Sequence, residues 1–211
     1  MVGVAVRLVL AWALLLQAGA APAQPQLRST FPGRRIGGGT RGECTARVLA
    51  HLVPPSSVFA PGSSGLIALL EGPTANPRPL LVALRQANAA GSRDGARSRV
   101  LLLELPAAPA GVTLLVRPIK TASVWESSYR CEDDVADPAD PLAMVSSAAP
   151  PAVSLLLLEV TPSDAALQPR LEDLRARCGQ TVPREQLARA FDLSDVIAAD
   201  WPARLPVRCP G

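Results

Sequence analysis

The chain has 211 residues, of which 48% are hydrophobic and only 3% aromatic, so any core must be packed from aliphatic side chains. Lys and Arg number 21 against 18 Asp and Glu, a formal charge of +3, too small an excess for a nucleic-acid partner or an anionic membrane surface. Lys120 is the only lysine, and the wealth of Ala, Leu, Pro and Arg reflects a GC-rich genome more than selection for phosphate binding.

The N-terminus predicts a secretory signal peptide over residues 1–23. Arg7 precedes an apolar run from Leu8 to Leu16, and small-x-small sites follow at Ala18-Gly19-Ala20 and Ala21-Pro22-Ala23. The run is shorter than the ~20 apolar residues that a membrane-spanning helix needs. No Cys stands at the cleavage site to take a lipid, and Arg34-Arg35 follows the apolar run instead of preceding it. Export by the general secretory route to the periplasm or beyond is therefore expected, with no transmembrane anchor after cleavage. About 188 residues then remain, enough for one domain with a modest core.

Residues 24–43 are Pro-, Gly- and Arg-rich and read as a flexible arm. Residues 44–160 read as a β-sandwich domain. Ala46–Val53 fits either a short helix or a strand and is ended by Pro54-Pro55. Strand-length apolar runs follow at Gly65–Leu70, Pro79–Arg85, Val100–Leu105, Val112–Val116 and Ser123–Cys131, separated by Gly- and Pro-bearing turns. That spacing predicts an antiparallel, immunoglobulin-like β-sandwich. In the last run Trp125, Ser127, Tyr129 and Cys131 share one face, which suits an inward side. Residues 142–147 and 152–160 are further strand candidates, the latter with a helical alternative. Residues 161–211 read as a small helical C-terminal unit. Ser163 is the expected N-cap, Leu167, Leu171 and Leu174 recur at helical spacing, and Gly179 closes the helix. A second helix is expected from Pro183, and a short third over Ser194–Ala199.

Four cysteines, Cys44, Cys131, Cys178 and Cys209, give an even count in an exported chain and three possible pairings. Cys44–Cys131 and Cys178–Cys209 are favoured, each closing one half of the sequence. In the chain-entropy picture they contribute at most about 4.6 and 3.7 kcal/mol. Their spacings do not suit zinc.

Gly37-Gly38-Gly39-Thr40-Arg41-Gly42 formally matches a dinucleotide-binding loop. The residues before it form no apolar strand and no Lys-Ser/Thr follows, so nothing would hold its N–H groups against a phosphate. The glycines are better read as turn formers in the arm, with Arg34, Arg35 and Arg41 as partner-contacting residues. Cys44 and His51 are a candidate thiolate–imidazole couple, and no third member accompanies them. Asp133, Asp134 and Asp137, with Glu132 and Asp140, offer oxygen ligands for calcium but lack the EF-hand order and its glycine. Trp125 and Trp201 are possible sugar-stacking rings or, more simply, core. No cofactor motif and no catalytic set stands out.

Two stretches carry a resemblance: Arg34–Arg41 with Cys44 and Leu49–Pro54, and Trp125 with Tyr129-Arg130-Cys131 and Glu132-Asp133. They resemble the exported cyanobacterial family known as domain of unknown function 928, in which a basic Gly-rich arm precedes a β region and closing helices. Leu167–Arg177, Phe191–Ala198 and Cys209 are similar in layout. The resemblance implies compartment and fold, and no activity is established for the family. Together these readings predict an exported, non-enzymatic binding module for an envelope protein or polysaccharide. The alternatives are a structural envelope component and a hydrolase using the acidic loop.

Overall fold

Runs of Leu and Val long enough for a strand, but too short and too densely apolar for an amphipathic helix, organise this chain into two facing sheets. The structure is a computed structural model that describes residues 24–39, 47–87, 100–130 and 150–210. In chain order its elements are α1 (Gln24–Thr30), β1 (Ile36–Gly38), β2 (Val48–His51), β3 (Val58–Phe59), β4 (Leu66–Glu71), β5 (Leu80–Gln86), β6 (Val100–Leu105), β7 (Gly111–Val116), β8 (Ser123–Tyr129), β9 (Ala152–Leu156), α2 (Pro162–Arg175), β10 (Thr181–Pro183), α3 (Arg184–Ala190) and β11 (Arg204–Arg208). One sheet runs β1-β2-β4-β7-β11-β10 and the other β3-β9-β8-β5-β6.

All six residues of β4 are buried, so the six-stranded sheet is covered on both faces. One face meets the five-stranded sheet. The other takes α2, whose Leu167, Leu171 and Leu174 join the same core as Leu66, Leu70 and Val112. Burial of one such Leu contributes roughly 1.5–3 kcal/mol, and this aliphatic layer does most of what aromatic rings do elsewhere. Thr161 precedes α2, and Asp164 reaches back to accept from the Thr161 backbone N–H and hydroxyl at 2.9 and 2.7 Å. Thr161 thus takes the capping place expected of Ser163, because Pro162 is suited to the first helical position.

The expectation of a mainly β chain is met, and the strands expected at 65–70, 79–85, 100–105, 112–116 and 123–131 correspond to β4 to β8. The sheets are mixed, however, not antiparallel: β3 runs parallel to β9 and β11 parallel to β7. A parallel neighbour requires a crossover, and between β7 and β11 the chain passes through β8 and β9 of the other sheet and then through the helical segment. Consequently residues 161–211 are no separate helical unit. Leu205 and Val207 are buried and seat β11 in the larger sheet, a strand masked in the sequence by Pro206. The Ser194–Ala199 stretch forms turns instead of a third helix.

The described part of the expected flexible arm is also built in. Leu27 and Phe31 pack on Val58, Ala60, Leu155 and Leu157, while Arg28 bonds Asp164 at 2.9 Å. Arg34 pairs with Val153 through both backbone groups, so the chain from Arg34 into β1 stitches the two sheets together. The glycine run follows from this close approach. A Cβ on Gly37 would sit 2.3 Å from the Ala152 nitrogen, and Gly38 has φ +84° with the Arg47 carbonyl where a side chain would go. Gly37→Ala should therefore destabilise the protein by about 1–3 kcal/mol, lowering its melting temperature by several degrees in calorimetry. An unchanged melting temperature would mean that β1 does not approach β9 this closely.

Candidate functional site

The side chains with the most chemistry on offer lie between the sheets, and the fold has already used them. His51 ends β2 and, with Leu49, points at the five-stranded sheet, where the inward face of β8 presents Trp125, Ser127 and Tyr129. It is fully buried. Its ring stacks on Trp125 with centroids 3.5 Å apart and planes 9° from parallel. Nδ1 lies 2.9 Å from the Ser154 hydroxyl and Nε2 2.9 Å from that of Ser127. Whichever nitrogen carries the proton donates to one serine, and the other serine donates to the bare nitrogen. Burial holds the imidazole well below its ordinary pKa. A neutral, enclosed ring with both nitrogens occupied is a tie between sheets.

A second buried cluster closes one end of the sandwich. Arg47 lies 3.0 Å from Glu71, donates to the Gly72 and Ala108 carbonyls at 2.6 and 2.7 Å, and covers the Tyr129 ring at 5.2 Å. Arg208 approaches the other Glu71 oxygen at 3.5 Å and donates to the Pro109 and Ala110 carbonyls. Burial pushes the Glu71 carboxyl up, and Arg47 and Arg208 pull it back. Tyr129 donates to the Val48 carbonyl at 3.2 Å, a further bond between sheets.

The residues singled out from sequence are dispersed. Arg35 is not a partner-contacting residue: it is buried and donates to the carbonyls of Val53, Phe191 and Asp192 at 2.9, 2.9 and 2.6 Å. Arg34 has an exposed side chain. Arg41, Cys44, Cys131, Asp133, Asp134 and Asp137 lie outside the described residues, as does the signal-peptide stretch. Cys178 and Cys209 form a disulfide, as expected, with Cα atoms 5.7 Å apart. Trp125 and Trp201 are buried, so neither offers a ring to a sugar. Among the described residues no three His, Cys, Asp or Glu side chains converge as metal ligands, and no helix is long and apolar enough to cross a membrane. A cleft of about 60 Å³ between α2 and α3, lined by Leu174, Val182, Leu187 and Phe191 together with Arg170, Asp173 and Arg177, is well below the roughly 300 Å³ of a small-molecule pocket.

What remains unspent is a sheet edge. Of the four edges, β3 is two residues long, β1 and β10 three each, and Pro183 closes β10. Short strands and proline are ordinary protection against stray pairing. In β6 that protection is missing: it is six residues long, reads Val-Leu-Leu-Leu-Glu-Leu, and among the described residues pairs with β5 alone. Val100, Leu101 and Leu102 are 49, 46 and 62% exposed, covering both faces of the strand. Its one charge, Glu104, is held by Arg130 at 2.9 and 3.1 Å. The chain matches no family model and no curated protein.

The run 100–105 marks a strand in the sequence, but an edge and a central strand look alike when five of six residues are apolar. The serine partners of His51 were missed for a different reason. Ser127 and Ser154 are unremarkable in sequence until β8 and β9 bring them to opposite ends of one imidazole.

Two outcomes follow from the buried clusters. His51 is the only histidine, and its pKa is lowered on folding, so the unfolded chain binds its proton more readily. Stability should be full above pH ~6.5 and fall below it, by up to ~1.4 kcal/mol per pH unit. In melting curves from pH 7 to 5, His51→Gln should flatten that decline; an equal decline in the variant would contradict the assignment. Glu71→Gln leaves Arg47 buried without its counter-charge and should cost about 3–5 kcal/mol in urea unfolding. A loss below about 1 kcal/mol would mean that water solvates the cluster.

Proposed function

We propose that this chain is an exported, non-enzymatic interaction module that engages a protein partner by strand addition along β6. The carrying observation is the unprotected edge, where three consecutive exposed apolar residues flank a ladder left open among the described residues. Such an edge gives affinity through main-chain hydrogen bonds and selectivity through alternate side chains. Export is supported by the apolar stretch Leu8–Leu16 with its small-residue sites and by the Cys178–Cys209 disulfide, which belongs in an oxidising compartment. The resemblance of residues 34–54 and 125–133 to an exported family points the same way. A protein suits this edge better than a polysaccharide, because Trp125 and Trp201 are withdrawn into the core. The non-enzymatic reading rests on the spending of His51, Glu71 and Arg47 on the interior.

The test is photo-crosslinking in the producing cells, with a photoreactive residue at position 102 and, as control, at exposed position 189 on α3. A protein adduct from position 102, absent from position 189 and lost when Val100→Lys is added, is the expected result. Val100→Lys is on the surface and should move stability by less than about 0.5 kcal/mol. Equal labelling from both positions, or none from position 102, would remove β6 from the function.

A further inference from the structure

The covalent tie between α2 and β11 stands outside the core that it spans. Cys178 and Cys209 are both exposed, and so are Ala176, Gly179, Gln180 and Pro210 around them. A Cβ added to Gly179 would meet nothing within 4 Å, so the chain beside Cys178 faces open space. Thiol–disulfide exchange needs a thiolate to reach a sulfur, and access is one of the factors that set its rate. We propose that Cys178–Cys209 is an exchange site for an external thiol, opened and closed while the rest of the protein stays folded.

The two stretches that the disulfide links are held side by side without it. The Gly179 N–H donates to the Val207 carbonyl at 2.9 Å, and the Val207 N–H donates to the Gln180 carbonyl at 2.8 Å. β10 continues the same ladder, pairing Thr181 with Pro206, Val182 with Leu205 and Pro183 with Arg204. Leu174, Leu205 and Val207 anchor both stretches in the core, and Arg208 is fastened to Glu71 and to the Pro109 and Ala110 carbonyls. A disulfide acts mainly by restricting the unfolded chain, so opening this one removes no other native contact. The ladder also keeps the two cysteines near the 5.7 Å Cα separation of the closed pair, and the freed thiols stay within reach of each other. In the first step a thiolate RS⁻ attacks either sulfur and the Cys178–Cys209 bond breaks. The other cysteine leaves as a thiolate, and the surface carries a mixed disulfide. A second external thiolate then attacks the R sulfur. RSSR and two cysteine thiols result, two electrons having passed from the external thiols to the protein. If the freed cysteine attacks first, RS⁻ is expelled and the pair closes again. A small-molecule thiol and the dithiol of a protein present the same attacking atom.

The test treats the purified, oxidised chain with reduced glutathione in the absence of denaturant. Alkylation stops the reaction, and peptide mapping follows Cys178 and Cys209 separately from the other cysteines. Opening should run at no less than about a tenth of its rate in the urea-unfolded chain, with a glutathionylated Cys178 or Cys209 peptide in passage. Near-UV dichroism should stay unchanged throughout, while the urea midpoint falls. A protein dithiol at equal thiol concentration distinguishes the two sources: faster opening than by glutathione assigns the site to a protein, and equal or slower opening to a small thiol. The double variant Cys178→Ser, Cys209→Ser should keep the near-UV spectrum of the oxidised protein. Opening slower than the stated limit, thiol release in step with loss of the near-UV signal, or a double variant that fails to fold would each overturn the proposal. None of these outcomes bears on β6, so the interaction edge stands or falls separately.

Discussion

A single imidazole laid between two sheets sets the arrangement of everything around it. His51 enters from β2 of the larger sheet, stacks on Trp125 of the smaller, and is gripped at both nitrogens by serines of β8 and β9. An aliphatic core of Leu, Val and Ala is dense but tolerant of sliding, since many registers bury similar area. A buried group with two fixed hydrogen bonds tolerates one register, because slipping would leave its polar atoms unpaired at a cost of about 1–3 kcal/mol each. The Trp125 indole Nε1, buried with no hydrogen-bond partner, is the one unsatisfied group of this junction.

Arginine plays the complementary role at the periphery. Arg35 fastens the β2–β3 connection to the turn after α3, and Arg47 and Arg208 fasten the 108–110 loop beside Glu71. Arg184 holds the carbonyls of Ala199 and Trp201, and Arg28 holds α1 to the start of α2. A guanidinium carries five donors in a fixed fork, so one side chain can satisfy several loop carbonyls that no strand pairs. This is how a chain with few aromatic residues keeps long connections in place. It also explains why arginines that look like a ligand-binding set in the sequence are in part internal ties.

The legible part of the fold was the part written in short-range pattern. Five strands and the leucine stripe of α2 follow from spacing alone, and the inward face of β8 follows from the alternation of Trp125 and Tyr129. What escaped depends on long-range partners. α1 and β1 look like a loose arm because their glycines and arginines make sense only against β9, Val53 and Phe191. β11 hides behind Pro206, and its parallel pairing to β7 depends on a crossover that no local signal specifies. The Gly37–Gly39 run resembles a phosphate loop because close backbone approach demands glycine in either case, whether the neighbour is a pyrophosphate or the backbone at Ala152.

Among the described residues, β6 is the one long edge strand whose outer side pairs with no other strand. An apolar edge of six residues is a liability unless something pairs with it, and β6 lacks the shortness and proline that blunt the other edges. Residue-resolved hydrogen exchange along β6 addresses this most directly. The outward-facing amides should exchange nearly as fast as in an open chain, while those bonded to β5 stay protected. Outward amides as slow as those bonded to β5 would contradict a free, pairing-competent edge.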